Sequence, residues 1–524
     1  MKIQKKLLTF LYKALKILFG KVFFVAVAAI LQITWVAFFM YAMGDRYPFF
    51  AGAVRLVSFL VMLNILNKPT NPSFKLGWAI IMLPAPVVGF AIYITLGRSR
   101  LTRKVADRCD EVTRETAHLL IENPEYREAL EQESQLAANQ SLYLARCAGY
   151  PVWQRTTTRY YPSGELLYKD MIETLENARH YIFMEYFIID NGEMWNSILD
   201  ILERKAKEGL DVRVIYDGMG CVNTLPARFC RDLRKRGIAC EEFNPFRPFV
   251  TALYNNRDHR KIMVVDGHTA FTGGINLADE YINRKKRFGY WKDTGISLHG
   301  EAVWNFTVMF LQMWSVVTGR SDVFDQVMKF TPEIHHIEKF ESDGFVQPYG
   351  DTPLDQETVG ENVYLNILGQ AKKYVYMFTP YLVIDNEMIT RLCLTAKSGV
   401  DVRIVVPGIP DKRMVYLLTT SYFEQLLEAG VRIYEYTPGF LHAKCFVCDD
   451  EIATVGTINM DYRSLYLHFE NGVWMYRSRA VGQVKQDVLD TIERSREVTL
   501  EECKKRPIAV RLQQRLLRIL APLM

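Results

Sequence analysis

Apolar positions are spread unevenly along this chain. Residues 22–43 form an almost unbroken apolar run, interrupted only by Gln32 and Thr34. At a helical rise of about 1.5 Å per residue such a run crosses a hydrocarbon layer of about 30 Å, so the pattern predicts a membrane-spanning helix. Residues 78–96 predict a second, with Pro84 and Pro86 inside it; proline is tolerated in a membrane helix when neighbours satisfy the freed carbonyls. Residues 49–66 are also apolar but carry Arg55, and they read either as a third crossing or as an interfacial segment. An arginine near the middle of a span costs about 2.5–3.5 kcal/mol. Lys2, Lys5, Lys6, Lys13, Lys16 and Lys21 precede the first run, and Arg98, Arg100, Arg103, Lys104 and Arg108 follow the last. Both flanks are therefore expected on the cytoplasmic side, which asks for an even number of crossings.

The pattern then changes. Residues 101–150 alternate in charge and predict a helical, solvated connector that carries no chemistry. From residue 151 onward, short β-rich runs alternate with helical stretches, and the layout occurs twice. Residues 181–189 (YIFMEYFII) and 374–384 (YVYMFTPYLVI) each pass through Asp-Asn into a helical pattern. The segments 208–214 (EGLDVRV) and 398–404 (SGVDVRI) each end a helix at glycine and start a strand. Such alternation predicts two α/β halves, each around a largely buried sheet. The expected division is 1–100 membrane segment, 101–150 connector, 151–345 and 346–498 the two halves, and 499–524 a basic amphipathic tail carrying Lys504, Lys505, Arg506, Arg511, Arg515 and Arg518. An ordinary packed surface helix is the other reading of that tail.

Composition narrows the class. With 524 residues, 49% apolar and 23% charged, the chain is neither disordered nor collagen-like. A net charge of +5 is too slight over this length to mark a nucleic-acid binder. Nine scattered cysteines suit a reducing compartment and do not form a disulfide framework.

The repeat carries the candidate chemistry. His259, Lys261 and Asp266 are followed by Gly274 and Asn276; His442, Lys444 and Asp449 are followed by Thr457 and Asn459. In both halves the histidine precedes the lysine by two residues, the aspartate by seven and the asparagine by seventeen. One HxKxxxxD pattern is weak, whereas two at equivalent places in a repeat are strong. Strand alternation puts histidine and lysine on one face and Asp266 or Asp449 on the other. The two aspartates, counted with the catalytic motif, are therefore assigned to holding neighbouring loops or backbone and not to attack. Imidazole beside a fixed ammonium suits phosphoryl transfer: a ring nitrogen attacks phosphorus while cationic and amide donors stabilise the non-bridging oxygens. One histidine attacks and the other moves the proton, which requires two facing sites. Each needs a carboxylate on its second ring nitrogen, and Asp293 and Glu470, at matching places, are the candidates. The remaining histidines, His468 among them, lack repetition and are assigned to structure. No metal site is expected: Cys445 and Cys448 near His442 face opposite ways on a strand. The basic run Arg284 to Arg287 reads as a solvated loop that can meet anionic headgroups.

These residues resemble the phospholipase D superfamily, marked by paired HxKxxxxD motifs, and within it the bacterial cardiolipin synthases. The likeness extends to the N-terminal apolar segments, the runs MEYFIIDNG and TPYLVIDN, and the ending Leu520-Ala521-Pro522-Leu523-Met524. It implies two phospholipase D-like halves about a pseudo-twofold axis, preceded by N-terminal transmembrane helices, with one active site between the halves and no cofactor or metal. It further implies His259 as nucleophile, His442 as acid and base, and Lys261, Lys444, Asn276, Asn459 and the Thr457 hydroxyl as phosphate-holding groups. The implied reaction moves a phosphatidyl group from one phosphatidylglycerol to another, giving cardiolipin and glycerol, in a multi-pass protein of the bacterial plasma membrane with a cytoplasmic catalytic body. A phospholipase D hydrolase uses the same residues; a nuclease and a non-catalytic membrane scaffold are the weaker alternatives.

Overall fold

The computed structural model describes residues 48–93, 100–245, 256–320, 339–355 and 357–523, with isolated positions at 31, 34, 35, 38, 42, 327 and 329–331. The chain divides into two units, one of residues 1–104 with 245–255 and one holding nearly all of the rest.

In the first unit, helix Pro48–Leu66 packs with two short helices, Pro72–Met82 and Pro86–Ile92, around Met62, Ile65 and Met82. Asn71 caps the second helix by accepting from Ser73 N. The expectation of one spanning helix over 78–96 is corrected: the chain breaks at 83–85, because Pro84 and Pro86 cannot donate to the preceding turn. Among the described residues no helix is long and apolar enough to cross a membrane. The span expected at 22–43 lies, but for a few positions, outside the described residues.

The second unit is built on two mixed sheets. In the first, the order is Thr156–Tyr161, Gly295–Gly300, Thr269–Gly273, Lys261–Val265, Tyr181–Tyr186, Asp211–Asp217 and Ala239–Phe243. The second repeats it as Phe345–Asp351, His468–Tyr476, Ile452–Gly456, Cys445–Cys448, Tyr374–Phe378, Asp401–Pro407 and Arg432–Tyr436, then adds Ser495–Glu497. The last three of the seven shared strands run parallel, linked by helices such as Glu193–Lys207 and Asn386–Lys397. Asp385 caps the latter by accepting from Met388 N. Helix Val303–Thr318 is apolar nearly all round and buried along most of its length, as a helix between packed layers must be.

The segment expected as a solvated connector instead packs on this unit. Tyr126 Oη donates to Glu301 at 2.6 Å, and Gln347 Nε2 donates to the carbonyls of Ser141 (3.1 Å) and Tyr150 (2.8 Å). Its alternating charges concealed a few buried contacts such as Leu130 and Leu144.

Candidate active site

Each motif histidine sits just before its strand and not within it: the strands begin at Lys261 and Cys445. What fixes the histidines is pairing across the repeat. Arg257–Asp258 runs parallel to His468–Phe469, and His259 N then donates to Phe469 O at 2.9 Å. Likewise Gly439–Leu441 runs parallel to Tyr290–Lys292, and His442 N donates to Lys292 O at 2.7 Å. The residues that follow these partner strands in register are Glu470 and Asp293. His259 Nδ1 lies 2.9 Å from Glu470, and His442 Nδ1 lies 2.7 Å from Asp293 Oδ2. Each imidazole is thus held by the other half.

Both histidines line one cavity of about 500 Å³, together with Asn276, Asn459, Tyr281, Trp291, Tyr381 and Phe440. Its apolar walls weaken solvent screening, so the charges around it act strongly on one another. Burial and the ammonium groups of Lys261 and Lys444 hold His259 well below the usual imidazole range. Burial and Lys444 pull His442 down to about 4, against the opposing pull of Asp293. Burial lowers Lys261 to about 7 and Lys444 to about 8. Both ammonium groups turn to the carbonyl of their own histidine, Lys261 Nζ at 2.6 Å from His259 O and Lys444 Nζ against His442 O. Asn276 accepts from Ile188 N and donates to Tyr281 Oη, while Asn459 Oδ1 is buried without a partner among the described residues.

Three expectations change. Asp266 and Asp449 stand apart from the cavity. Each accepts three backbone N–H groups, Asp266 those of Arg179, His180 and Tyr181, and Asp449 those of Lys372, Lys373 and Tyr374. They pin the start of the neighbouring strand, so their place in the catalytic set is withdrawn. Thr457, expected at the phosphate, is fully buried and donates to Glu470 Oε2 at 2.5 Å. In the first half, Gly274 stands at that position because a Cβ there would lie 2.0 Å from Asp293 Oδ1. His468, expected to be structural, lines the cavity with its ring 5.4 Å from that of His259 and Nδ1 3.6 Å from Glu470. Burial pulls it down to about 4. Trp291 takes the equivalent place against His442, with ring centres 5.5 Å apart. The signal was available, since both residues stand two places before the anchoring carboxylate.

The basic run is only partly a solvated loop. Arg284 and Lys285 pair with Glu193 and Asp190, whereas Arg287 pairs with Glu280 and lines the cavity. Among the described residues His259, His468 and Glu470 bring three ligand atoms within 4.8 Å of one another. The ammonium groups of Lys261 and Lys444, close enough to depress His259, oppose a cation there.

Residues 171–314 and 364–491 match the family described as cardiolipin synthase, PLD-like domain. A Streptococcus mutans protein is 44% identical over 88% of this chain and 99% of its own length. The cardiolipin synthase of Alkalihalophilus pseudofirmus is 36% identical over 88% of this chain and 91% of its own, and that of a Geobacillus species 33% over 96% and 98%. The crystal structure of a phosphatidylserine synthase from Haemophilus influenzae superposes with a TM-score of 0.52 at 17% identity, covering 70% of this chain and 93% of that one, a likeness of fold. With two phospholipase D-like halves around one histidine-lined cavity, the chain belongs to the cardiolipin synthase family of phospholipase D-like proteins.

Proposed function

We propose that this enzyme transfers a phosphatidyl group from one phosphatidylglycerol to the terminal hydroxyl of another, giving cardiolipin and glycerol. The observation that carries this reading is the pair of buried imidazoles in one cavity, each backed by a carboxylate from the opposite half. His259 Nε2 bonds to phosphorus as the bond to the glycerol headgroup breaks, and His442 gives a proton to the departing oxygen. The second phosphatidylglycerol then loses its hydroxyl proton to His442 as its oxygen takes the phosphorus and the N–P bond breaks. No nucleotide is consumed, because one phosphodiester replaces another.

Electrostatics favour this order of roles. The leading influences on His259 all lower its basicity, which keeps a ring nitrogen free to attack. His442 has Asp293 pulling the other way through a shorter contact, as a proton carrier requires. Glu470 also accepts from Thr457 and Ser464, so its charge is shared. Aromatic walls at Phe187, Trp291, Tyr381 and Phe440 suit a site that admits lipid and excludes water, the competing acceptor.

The N-terminal unit is read as the anchor of a multi-pass plasma-membrane protein with a cytoplasmic catalytic body. The outward-facing Phe49, Leu56, Phe59 and Leu60 of helix Pro48–Leu66 support contact with lipid, and the run at 22–43 has the length of a crossing. The deciding experiment supplies purified protein in detergent with phosphatidylglycerol and separates the products. Equal amounts of cardiolipin and glycerol are expected; phosphatidic acid as the chief product would make the enzyme a hydrolase.

A further inference from the structure

A helix on a protein surface ordinarily turns its apolar stripe inward. Helix Ile508–Leu520 does the reverse. Gln514 is buried and donates to Thr420 Oγ1 (2.9 Å) and to Leu417 O (3.3 Å). Leu517 is buried beside it, but Ile508, Leu512, Leu516, Ile519 and Leu520 are exposed, Ile508 by 83% and Leu512 and Leu516 by 57% each. At about 100° per residue those five fall within one sector of about 120°, facing away from Gln514 and Leu517. Arg511 and Arg515 lie along one edge of this stripe, and no carboxylate pairs with either among the described residues.

The residues that receive Gln514 belong to the end of helix Arg413–Thr419 and the residue after it. The opposite side of that short helix forms part of the catalytic cavity through Val415 and Leu418, with Lys412 just before it. Met414, on the same helix, is 61% exposed. An apolar face edged by unpaired arginines therefore stands one helix away from the cavity.

We propose that this face of helix Ile508–Leu520 rests on an anionic phospholipid surface and sets the cavity against the bilayer from which the substrate is drawn. Leucine and isoleucine side chains enter the acyl boundary while Arg511 and Arg515 meet headgroup phosphates. The occupant is assigned as lipid and not a second protein copy because the free cations border the apolar sector, as at a membrane interface, and because the surface adjoins the substrate cavity. The inference rests on phosphatidylglycerol being the substrate.

The test uses the full-length protein and two forms of that substrate: long-chain phosphatidylglycerol diluted in phosphatidylcholine vesicles, and dihexanoylphosphatidylglycerol below its micelle concentration. Leu512→Glu with Leu516→Glu, both outward-facing, should lower turnover in vesicles by about tenfold and leave turnover of the monomeric short-chain lipid unchanged. Ile121→Glu, at an exposed apolar position elsewhere, should change neither. Unchanged turnover in vesicles, or equal loss on both substrates, overturns the proposal; so does a shift from dimer to monomer in the double variant, which would make the face a contact between copies. Absence of turnover by the unaltered protein on both substrates would instead defeat the phosphatidylglycerol reading itself.

Discussion

The carboxylate that holds His259 is Glu470, 211 residues further along the chain and in the other half of the repeat; the one that holds His442 is Asp293, 149 residues back. Neither half contains a complete histidine pair. Converting Asp293→Asn or Glu470→Gln keeps the shape but removes the charge that fixes the tautomer and supports the imidazolium. A fall in kcat of about 10³ to 10⁴ is expected for each, with KM for phosphatidylglycerol little changed. A loss of less than tenfold in both would show that the crossed pairs are structural.

The order of the two histidines is open to a leaving-group test. A phosphodiester that releases 4-nitrophenolate needs no proton on departure. His442→Ala should therefore release about one equivalent per enzyme in a rapid burst and then stall, while His259→Ala should release none. The opposite pattern would exchange their roles.

Thr457 and Gly274 make an asymmetry that activity should register. Thr457→Val removes the hydroxyl that donates to Glu470, and a drop of about tenfold in kcat without a rise in KM is expected. A rise in KM instead would restore the hydroxyl to the phosphate site. Gly274→Ala places a Cβ against Asp293 and displaces that carboxylate from His442, so a loss nearer to 100-fold is expected.

The buried cations also set a pH dependence. Lys261, lowered to about 7, and Lys444, lowered to about 8, are charged below those values and lose their charge as pH rises through them. The ability to hold a phosphodiester anion falls with them. Because His442, lowered to about 4, must carry a proton to act as the acid, kcat/KM should fall as pH rises above about 4 and more steeply above 7, where the two lysines also lose their charge. An entering anion favours the protonated form of every cationic group around it, so binding an unreactive phosphodiester at pH 7 should take up protons. Calorimetry in two buffers of different ionisation enthalpy measures that uptake. A value of zero, or kcat/KM rising between pH 7 and 9, would contradict the charge assignment.

Much of the site was legible in the sequence wherever a local period governed it. The repeated spacing brings the same residue types to equivalent places in both halves, at 259–266 and again at 442–449. Asp266 and Asp449 lie just past the ends of their strands, with φ of 52° and 53°, and from there their carboxylates accept backbone N–H groups. The prolines at 84 and 86 were visible too, but whether they are absorbed in one helix or end it depends on which neighbours accept the freed carbonyls. A hydroxyl beside a motif, such as that of Thr457, can face either the cavity or the carboxylate behind it, and spacing does not distinguish the two. The place of His468 comes from standing in register with Arg257, a contact between strands of different halves that local sequence does not show.

The sequence by itself determined that the chain beyond about residue 150 is a duplication, that its two halves are α/β, and that each carries one histidine and one lysine two residues apart at equivalent places. Those features follow from residue spacing along a single stretch of chain. Tertiary structure alone decided that each imidazole takes its carboxylate from the opposite half, that Thr457 serves Glu470, and that the last helix turns its leucines outward. Each of these depends on which distant backbones lie side by side, and contacts between residues far apart in the chain leave no period in the sequence to be read.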